Sequence, residues 1–243
     1  KAMVFSLNMM TNAEDCIRTS KGVSEVINAK VMHIEDLLRF GVLADINGLD
    51  KSSVLKASQP LKDAGYADSV YFVNVKNMRI ELDSCLRTQE DKTKICWTEP
   101  YDRYGKLVVT AAMRVGDHNR LLCADIQTQW LDSLLTDSKP VEDAELFVLS
   151  SGGRFICHPD KSMLGKISTP EMQSMNEKYF YRDDTQYEYS KFESKIEEQV
   201  ESQVEKATDS SNNNRDESGT VSAQATSFGN KVEANDWYVR CNI

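Results

Sequence analysis

Four side chains between residues 71 and 125 are of types that grip a small polar molecule: Tyr71, Trp97, Tyr101 and Asp125. Asp125 stands in Leu121-Leu122-Cys123-Ala124-Asp125-Ile126, an otherwise apolar run that reads as a strand. A carboxylate carried into an interior costs several kcal/mol unless it meets a partner, a ligand or a proton. Two readings of it stand. In one, Asp125 pairs with the amine of a ligand where a pocket wall lowers the local dielectric; in the other, it caps a helix starting at Gln127. Trp97 and Tyr101 flank the turn Trp97-Thr98-Glu99-Pro100-Tyr101-Asp102 and supply either an aromatic wall for a ligand or ordinary core. Tyr71 alternates with Phe72 along a strand, so only one of them faces such a cup. Arg79 and Arg87 are anion contacts or solvated surface cations.

Catalytic chemistry finds no comparable constellation. Cys157 and His158 are a nucleophile and a base by type, but neighbours on a strand point to opposite faces and cannot share a proton. The three histidines, His33, His118 and His158, fall in separate elements without metal-ligand spacing, and neither a phosphate-binding glycine loop nor a Gly-x-Ser-x-Gly elbow is present. The reading is therefore a binding protein with no catalytic residue, no metal ligand and no cofactor. Of the six cysteines, only Cys85 and Cys96 lie close enough in sequence for a local bridge; a bridge there and two free, buried thiols both remain open.

The elements that must position these groups show in the hydrophobic pattern. Val23, Ile27, Val31, Ile34 and Leu38 form one narrow stripe, which predicts an amphipathic helix over 13–40 with an N-cap at Thr11 or Asn12 and Gly41 closing its far end. Such a stripe packs on its own domain or also on a second copy of itself. A second helix is predicted over 50–65, disturbed at Pro60. Residues 69–75 read as a strand, and Lys76-Asn77 as a turn into a partner strand at Arg79-Ile80-Glu81-Leu82. Strands near Trp97, Leu107 and Leu121 follow, the last two joined at Gly116-Asp117-His118-Asn119, and a helix over 127–135 leads to a boundary at 137–140.

A weaker copy of this pattern comes next. Residues 146–149 and 154–157 read as a hairpin, with late strands at 220–228 and 237–243. Between them, Phe192, Ile196, Val200 and Val204 at strict intervals of four predict an acidic helix over 191–207, followed by an irregular loop at 209–219. The fold class is α+β: a long N-terminal helix (1–40), a first module (41–136) and a second module (137–243).

The net charge of -9, from 29 basic and 38 acidic side chains, argues against nucleic acid or an anionic lipid surface as partner. No run approaches the about 18 apolar residues that a membrane helix needs. The chain begins at Lys1 without an initiator Met and stops inside an apparent strand at 237–243, which raises the expectation of a membrane segment flanking the domain. A structural module that recruits a protein through 191–207 and the adjoining loop is the reading from a different class.

Two sheet modules behind a long helix, with Trp97-Thr98-Glu99-Pro100-Tyr101-Asp102 before a Gly turn and Ala124-Asp125-Ile126 at the exit, resemble the double Cache sensor domains. Leu149-Ser150-Ser151-Gly152-Gly153-Arg154-Phe155-Ile156-Cys157-His158-Pro159-Asp160 resembles the opening hairpin of their second module. The resemblance implies two PAS-like modules, each a five-stranded antiparallel sheet flanked by helices. It implies the extracytoplasmic domain of a bacterial transmembrane receptor, on the periplasmic or extracellular face of the cell membrane. A sensor histidine kinase is the first expectation; a chemoreceptor or a phosphatase- or cyclase-linked sensor is the alternative. It also implies a small-molecule site in the first module at Tyr71, Trp97, Tyr101 and Asp125, and a homodimer through the N-terminal helix. Tyr101 and Asp125 match positions that hold the ligand's ammonium group in amino-acid-binding members. The Arg and Trp-Tyr pair that grip the carboxylate there have no match in 83–96, which offers only Arg87, so the expected ligand is amine-bearing.

Overall fold

The computed structural model describes residues 2–48, 50–116, 119–142, 144–168 and 227–242. The acidic helix at 191–207, the loop at 209–219 and the start of the strand at 220–228 lie outside the described residues.

Helix α1 (Ala2–Ile46) carries the predicted stripe, and every member of it is buried. The stripe is longer than the sequence suggested, continuing through Cys16 and Ser20 on one side and Val42 on the other. Neither Thr11 nor Asn12 caps the helix, because the chain is already helical from Ala2, and Gly41 does not close it. Gly41 lies within the last turns, where a Cβ would stand 2.4 Å from Ser58 Oγ and 2.8 Å from Leu122 Cδ2. The glycine thus permits a close approach rather than a left-handed turn. The helix stops at Asn47-Gly48, where Gly48 has φ +77° and its N–H returns to Asp45 O at 2.9 Å.

The second helix divides at Ser58 into α2 (Lys51–Ala57), capped by Asp50 through the Ser53 N–H, and α3 (Gln59–Asp63). Pro60 falls in the first turn of α3, where its missing N–H is harmless. The first sheet consists of β1 (Ala67–Asn74), β2 (Cys96–Trp97), β3 (Tyr101–Arg103), β4 (Lys106–Val115) and β5 (Arg120–Ile126), all antiparallel. Its order is β1-β5-β4-β2, with β3 also paired to β4.

The predicted partner strand at Arg79–Leu82 does not exist. Asn74 Oδ1 accepts from the Lys76 N–H at 2.9 Å and starts a 3-10 turn at Val75–Asn77, after which α4 (Ile80–Thr88) begins. Glu81 and Asp83 in its first turn suit the positive end of the helix dipole, and Leu82 and Leu86 bury themselves at helical spacing. Four residues of apolar alternation could not distinguish this from a strand. A disulfide between Cys85 of α4 and Cys96 of β2, with Cα atoms 6.2 Å apart, resolves the cysteine alternatives and ties α4 across the sheet.

Helix α5 (Gln129–Ser138) leads to a second sheet of β6 (Glu145–Leu149), β7 (Phe155–Cys157), β8 (Ser227–Val232) and β9 (Trp237–Asn242). Among the described residues it has four strands, in the order β7-β6-β9-β8. The two halves of α1 serve different sheets. Cys16, Val23, Ile27 and Val31 pack with Leu131, Val148, Trp237 and Val239, whereas Ile34, Leu38 and Val42 pack with Val54, Leu61, Leu122 and Ile126. Each fully buried Ile or Leu contributes about 1.5–3 kcal/mol relative to exposure, so the stripe is a major source of cohesion between the modules.

Replacing Gly41 with Ala tests the close approach of α1 to Ser58 and Leu122, both fully buried. The crowding is expected to outweigh the helix-propensity gain and to destabilise the protein by about 1–2 kcal/mol, measured by urea unfolding.

Candidate functional site

The pairing register divides the first sheet into two faces. Val70, Phe72, Ala111, Leu122 and Ala124 face α1, while Tyr71, Val73, Ala112, Leu121 and Cys123 face α4. Asp125, opposite Thr110 and two residues beyond Cys123, is on the α4 side. Tyr101 and Arg103 extend the same face from β3.

Asp125 is 2% exposed, and four side chains meet its carboxylate. Tyr71 OH and Thr110 Oγ1 each donate to Oδ1 at 2.8 Å. Ser69 Oγ donates to Oδ2 at 2.8 Å, and Arg103 Nη1 forms an ion pair with the same oxygen. Arg103 Nη1 also donates to Tyr71 OH at 2.5 Å, and its guanidinium lies 4.4 Å from the centre of the Tyr71 ring. Tyr101 does not touch the carboxylate. Its hydroxyl is 2.6 Å from Thr110 Oγ1, and since that oxygen donates to Asp125, Tyr101 donates to it and fixes its rotamer.

The electrostatics follow from this burial. Burial first, then the nearby Cys123 and Asp125, drive the Tyr71 hydroxyl above its ordinary range, so it remains a donor. Burial draws the Arg103 guanidinium down, but Tyr71 and Asp125 more than reverse this and hold it charged. The Cys123 thiol is pushed up to about 12, by burial and then by Asp125, and stays protonated at neutral pH.

A two-residue turn positions Arg103. Tyr104 (φ 55°) and Gly105 (φ 78°) are both left-handed, as the tight hairpin between Arg103 and Lys106 requires. Asp102 Oδ1 accepts from the Gly105 N–H at 3.2 Å on the outer side.

The structure therefore brings together Tyr71, Tyr101 and Asp125, but not Trp97. Trp97 pairs with Ala111 and faces α1, because each residue step along a strand reverses the side chain. Its indole N–H donates to Glu35 Oε1 at 2.9 Å, and its ring meets Trp237 edge-on at 5.4 Å. Asp125 does not cap a helix; Thr128 stands at the N-cap of α5. Arg79 lies 5.3 Å from the Tyr101 ring centre, at the edge of the face, and pairs with Glu81. Arg87 is 77% exposed and pairs with Asp83 on the outer side of α4. Cys157 Sγ is 2.9 Å from Asp132 Oδ1, whereas His158 packs on Phe147 and Phe155, so the two diverge as strand neighbours must.

Sequence reasoning missed Ser69, Thr110 and Arg103. The signal for Arg103 was present in Tyr101-x-Arg103, which puts both side chains on one face; Thr110 required the register, which no local pattern provides.

No family model matches the chain, and no curated protein sequence matches it. Solved structures do match. The extracellular domain of mmHK1S-Z2, described as a histidine kinase, superposes with a TM-score of 0.62 at 14% identity over 96% of this chain and 97% of that one. The ligand-binding domain of the Pseudomonas fluorescens chemoreceptor CtaA, in complex with L-isoleucine, gives 0.60 at 12% identity over 97% and 94%. The ligand-binding domain of the Pseudomonas aeruginosa PAO1 amino acid chemoreceptor PctB, in complex with L-Gln, gives 0.56 at 15% identity over 95% and 88%. The chain has the fold of the double Cache sensor domains: a long N-terminal helix backing two PAS-like modules in series.

Thr110 both donates to Asp125 and accepts from Tyr101. Replacing it with Val strands both partners and is expected to cost about 1.5–3 kcal/mol in urea unfolding, more than Tyr101→Phe, which removes a single neutral bond.

Proposed function

We propose that this chain is the extracytoplasmic small-molecule sensing domain of a membrane-anchored bacterial signal-transduction protein, acting by binding rather than catalysis. One observation carries the reading: a buried carboxylate, Asp125, lies on the same face of the first sheet as α4, at its polar end, and is surrounded by the hydroxyls of Ser69, Tyr71 and Thr110. Hydroxyls that donate to a carboxylate also keep lone pairs to accept from an ammonium group, so the cluster suits an amine-bearing ligand. Two of the structural neighbours are complexes with L-isoleucine and L-Gln, both of which carry an α-amino group, and this supports the amino-acid or amine class.

A sensor histidine kinase is the output we favour, supported by the likeness to mmHK1S-Z2 over nearly the whole of both chains. The likeness to CtaA and PctB supports a chemoreceptor as the second reading. Among the described residues no helix is long and apolar enough to cross a membrane. Helix α1 is the natural conductor of the signal, because one stripe packs on both sheets. A ligand that favours one arrangement of the first module by a few kcal/mol changes the output population substantially. The outer face of α1 exposes Val26, Met32, Phe40, Leu43 and Ile46, Phe40 by 61%, and this supports a homodimer through the helix.

A thermal-shift screen of L-amino acids and short amines is expected to yield a stabilising ligand. Asp125→Asn should weaken that ligand about 100-fold by calorimetry while the circular dichroism spectrum stays unchanged. Equal affinity in the variant would remove Asp125 from the site. For the dimer, Phe40→Glu with Leu43→Glu should shift the sedimentation profile towards monomer; a monomeric wild type would refute it.

A further inference from the structure

An ionised carboxylate offers about four acceptor positions, and in this structure all four on Asp125 are filled by the chain's own donors. No position is left for a ligand's ammonium group. Three of the donors are neutral hydroxyls, all on the strands flanking β5, and two of them, Ser69 and Thr110, are the register partners of Asp125 itself. Among the described residues the fourth donor, Arg103, is the single cation on the carboxylate, and it comes from β3, a three-residue strand paired there only to β4.

We infer that Arg103 occupies the place of the ligand's cationic group, so that binding exchanges one cation for another on Asp125 and Arg103 sets the specificity of the site. This rests on the sensing role proposed for the Asp125 cluster. The exchange is feasible because the expensive half is never exposed. Leaving Asp125 buried and unpaired would be strongly unfavourable, but an incoming ammonium restores the ion pair and also donates to Tyr71 OH, which now accepts from Arg103. Arg103 has a short way to travel. Its guanidinium is already 5.7 Å from the ring of Tyr104, a residue 91% exposed at the hairpin tip, where a cation can stack while regaining water.

The consequence is selectivity by charge. A neutral or anionic molecule cannot replace Arg103, since it would leave the Asp125 charge buried without a counter-ion. A compact primary ammonium can do so, and vacating the Tyr71 ring face gives the ligand's own cation or apolar stem a stacking surface.

Calorimetry on the whole domain with the proteinogenic L-amino acids, short alkylamines and matching short carboxylic acids tests the exchange. Arg103→Gln keeps a donor for Asp125 but removes the competing charge, and is expected to tighten the amine-bearing probes by about 10-fold or more, with the carboxylic acids remaining non-binders. Unchanged or weaker amine binding in Arg103→Gln, with binding still lost in Asp125→Asn, overturns the exchange while leaving the site in place. Binding of the carboxylic acids by the wild type also overturns it. Silence of the whole panel on both proteins sinks the site and the exchange together. A readout that does not depend on the folding of Arg103→Gln is the Arg103 Nε–H resonance of the wild type, assigned by its loss in Arg103→Lys. It should move on addition of a binding amine, and a stationary resonance overturns the proposal.

Discussion

A pleated strand sends alternate side chains to opposite faces, and the first sheet must cover both of its faces. That requirement orders this molecule. One face is apolar and receives α1; the other is apolar at one end, beneath Leu82 and Leu86 of α4, and polar at the other, around Asp125. Since β5 is buried throughout except at its first residue, the carboxylate at its sixth position is 2% exposed and is neutralised from adjoining strands. Ser69, Thr110, Tyr71 and Arg103 are the residues that the antiparallel register delivers there.

Helix α1 turns two sheets into one object. Its buried stripe runs from Cys16 to Val42, and Glu35 within that length reaches across to the indole of Trp97 while also accepting from Arg39 at 3.0 Å. Polar contacts repeat the bond at the second sheet, where Asn230 donates to Ser20 Oγ at 2.7 Å and the Ala234 N–H donates to Asn28 Oδ1 at 2.9 Å. The apolar stripe supplies cohesion and these few hydrogen bonds fix the axial register, because an apolar stripe alone tolerates sliding.

The α+β class, the stripe of α1 and the strands around Leu107 and Leu121 were legible because their periods persist over many residues. Helix ends were less so: Gly41 looked like a stop signal, and only tertiary contact with Ser58 and Leu122 explains a glycine there. Residues 79–82 were too short a sample to tell alternation from a helix turn, and the two leucines that decide it, Leu82 and Leu86, become informative only once α4 is recognised as covering a sheet. Asp125, Tyr71 and Tyr101 were found by residue type and come together. Trp97 is near them in sequence, yet its parity sends it to the opposite face; Arg103, two residues from Tyr101 and in phase with it, is legible only from the parity of β3.

The short stretch from Cys96 to Arg103 ties four parts of the molecule together. Cys96 is bridged to α4, Trp97 touches α1 and Trp237, the Thr98 N–H is bound to Thr110 O at 3.0 Å, and Glu99 accepts from Ser150, Ser151 and the Gly152 N–H of the second module. Gly152 admits that clasp because a Cβ would stand 2.8 Å from the Glu99 carboxylate. Four residues after Glu99 comes Arg103. A single backbone ribbon therefore joins the counter-ion of the buried acid to the seam between the modules, a covalent connection distinct from the long helix.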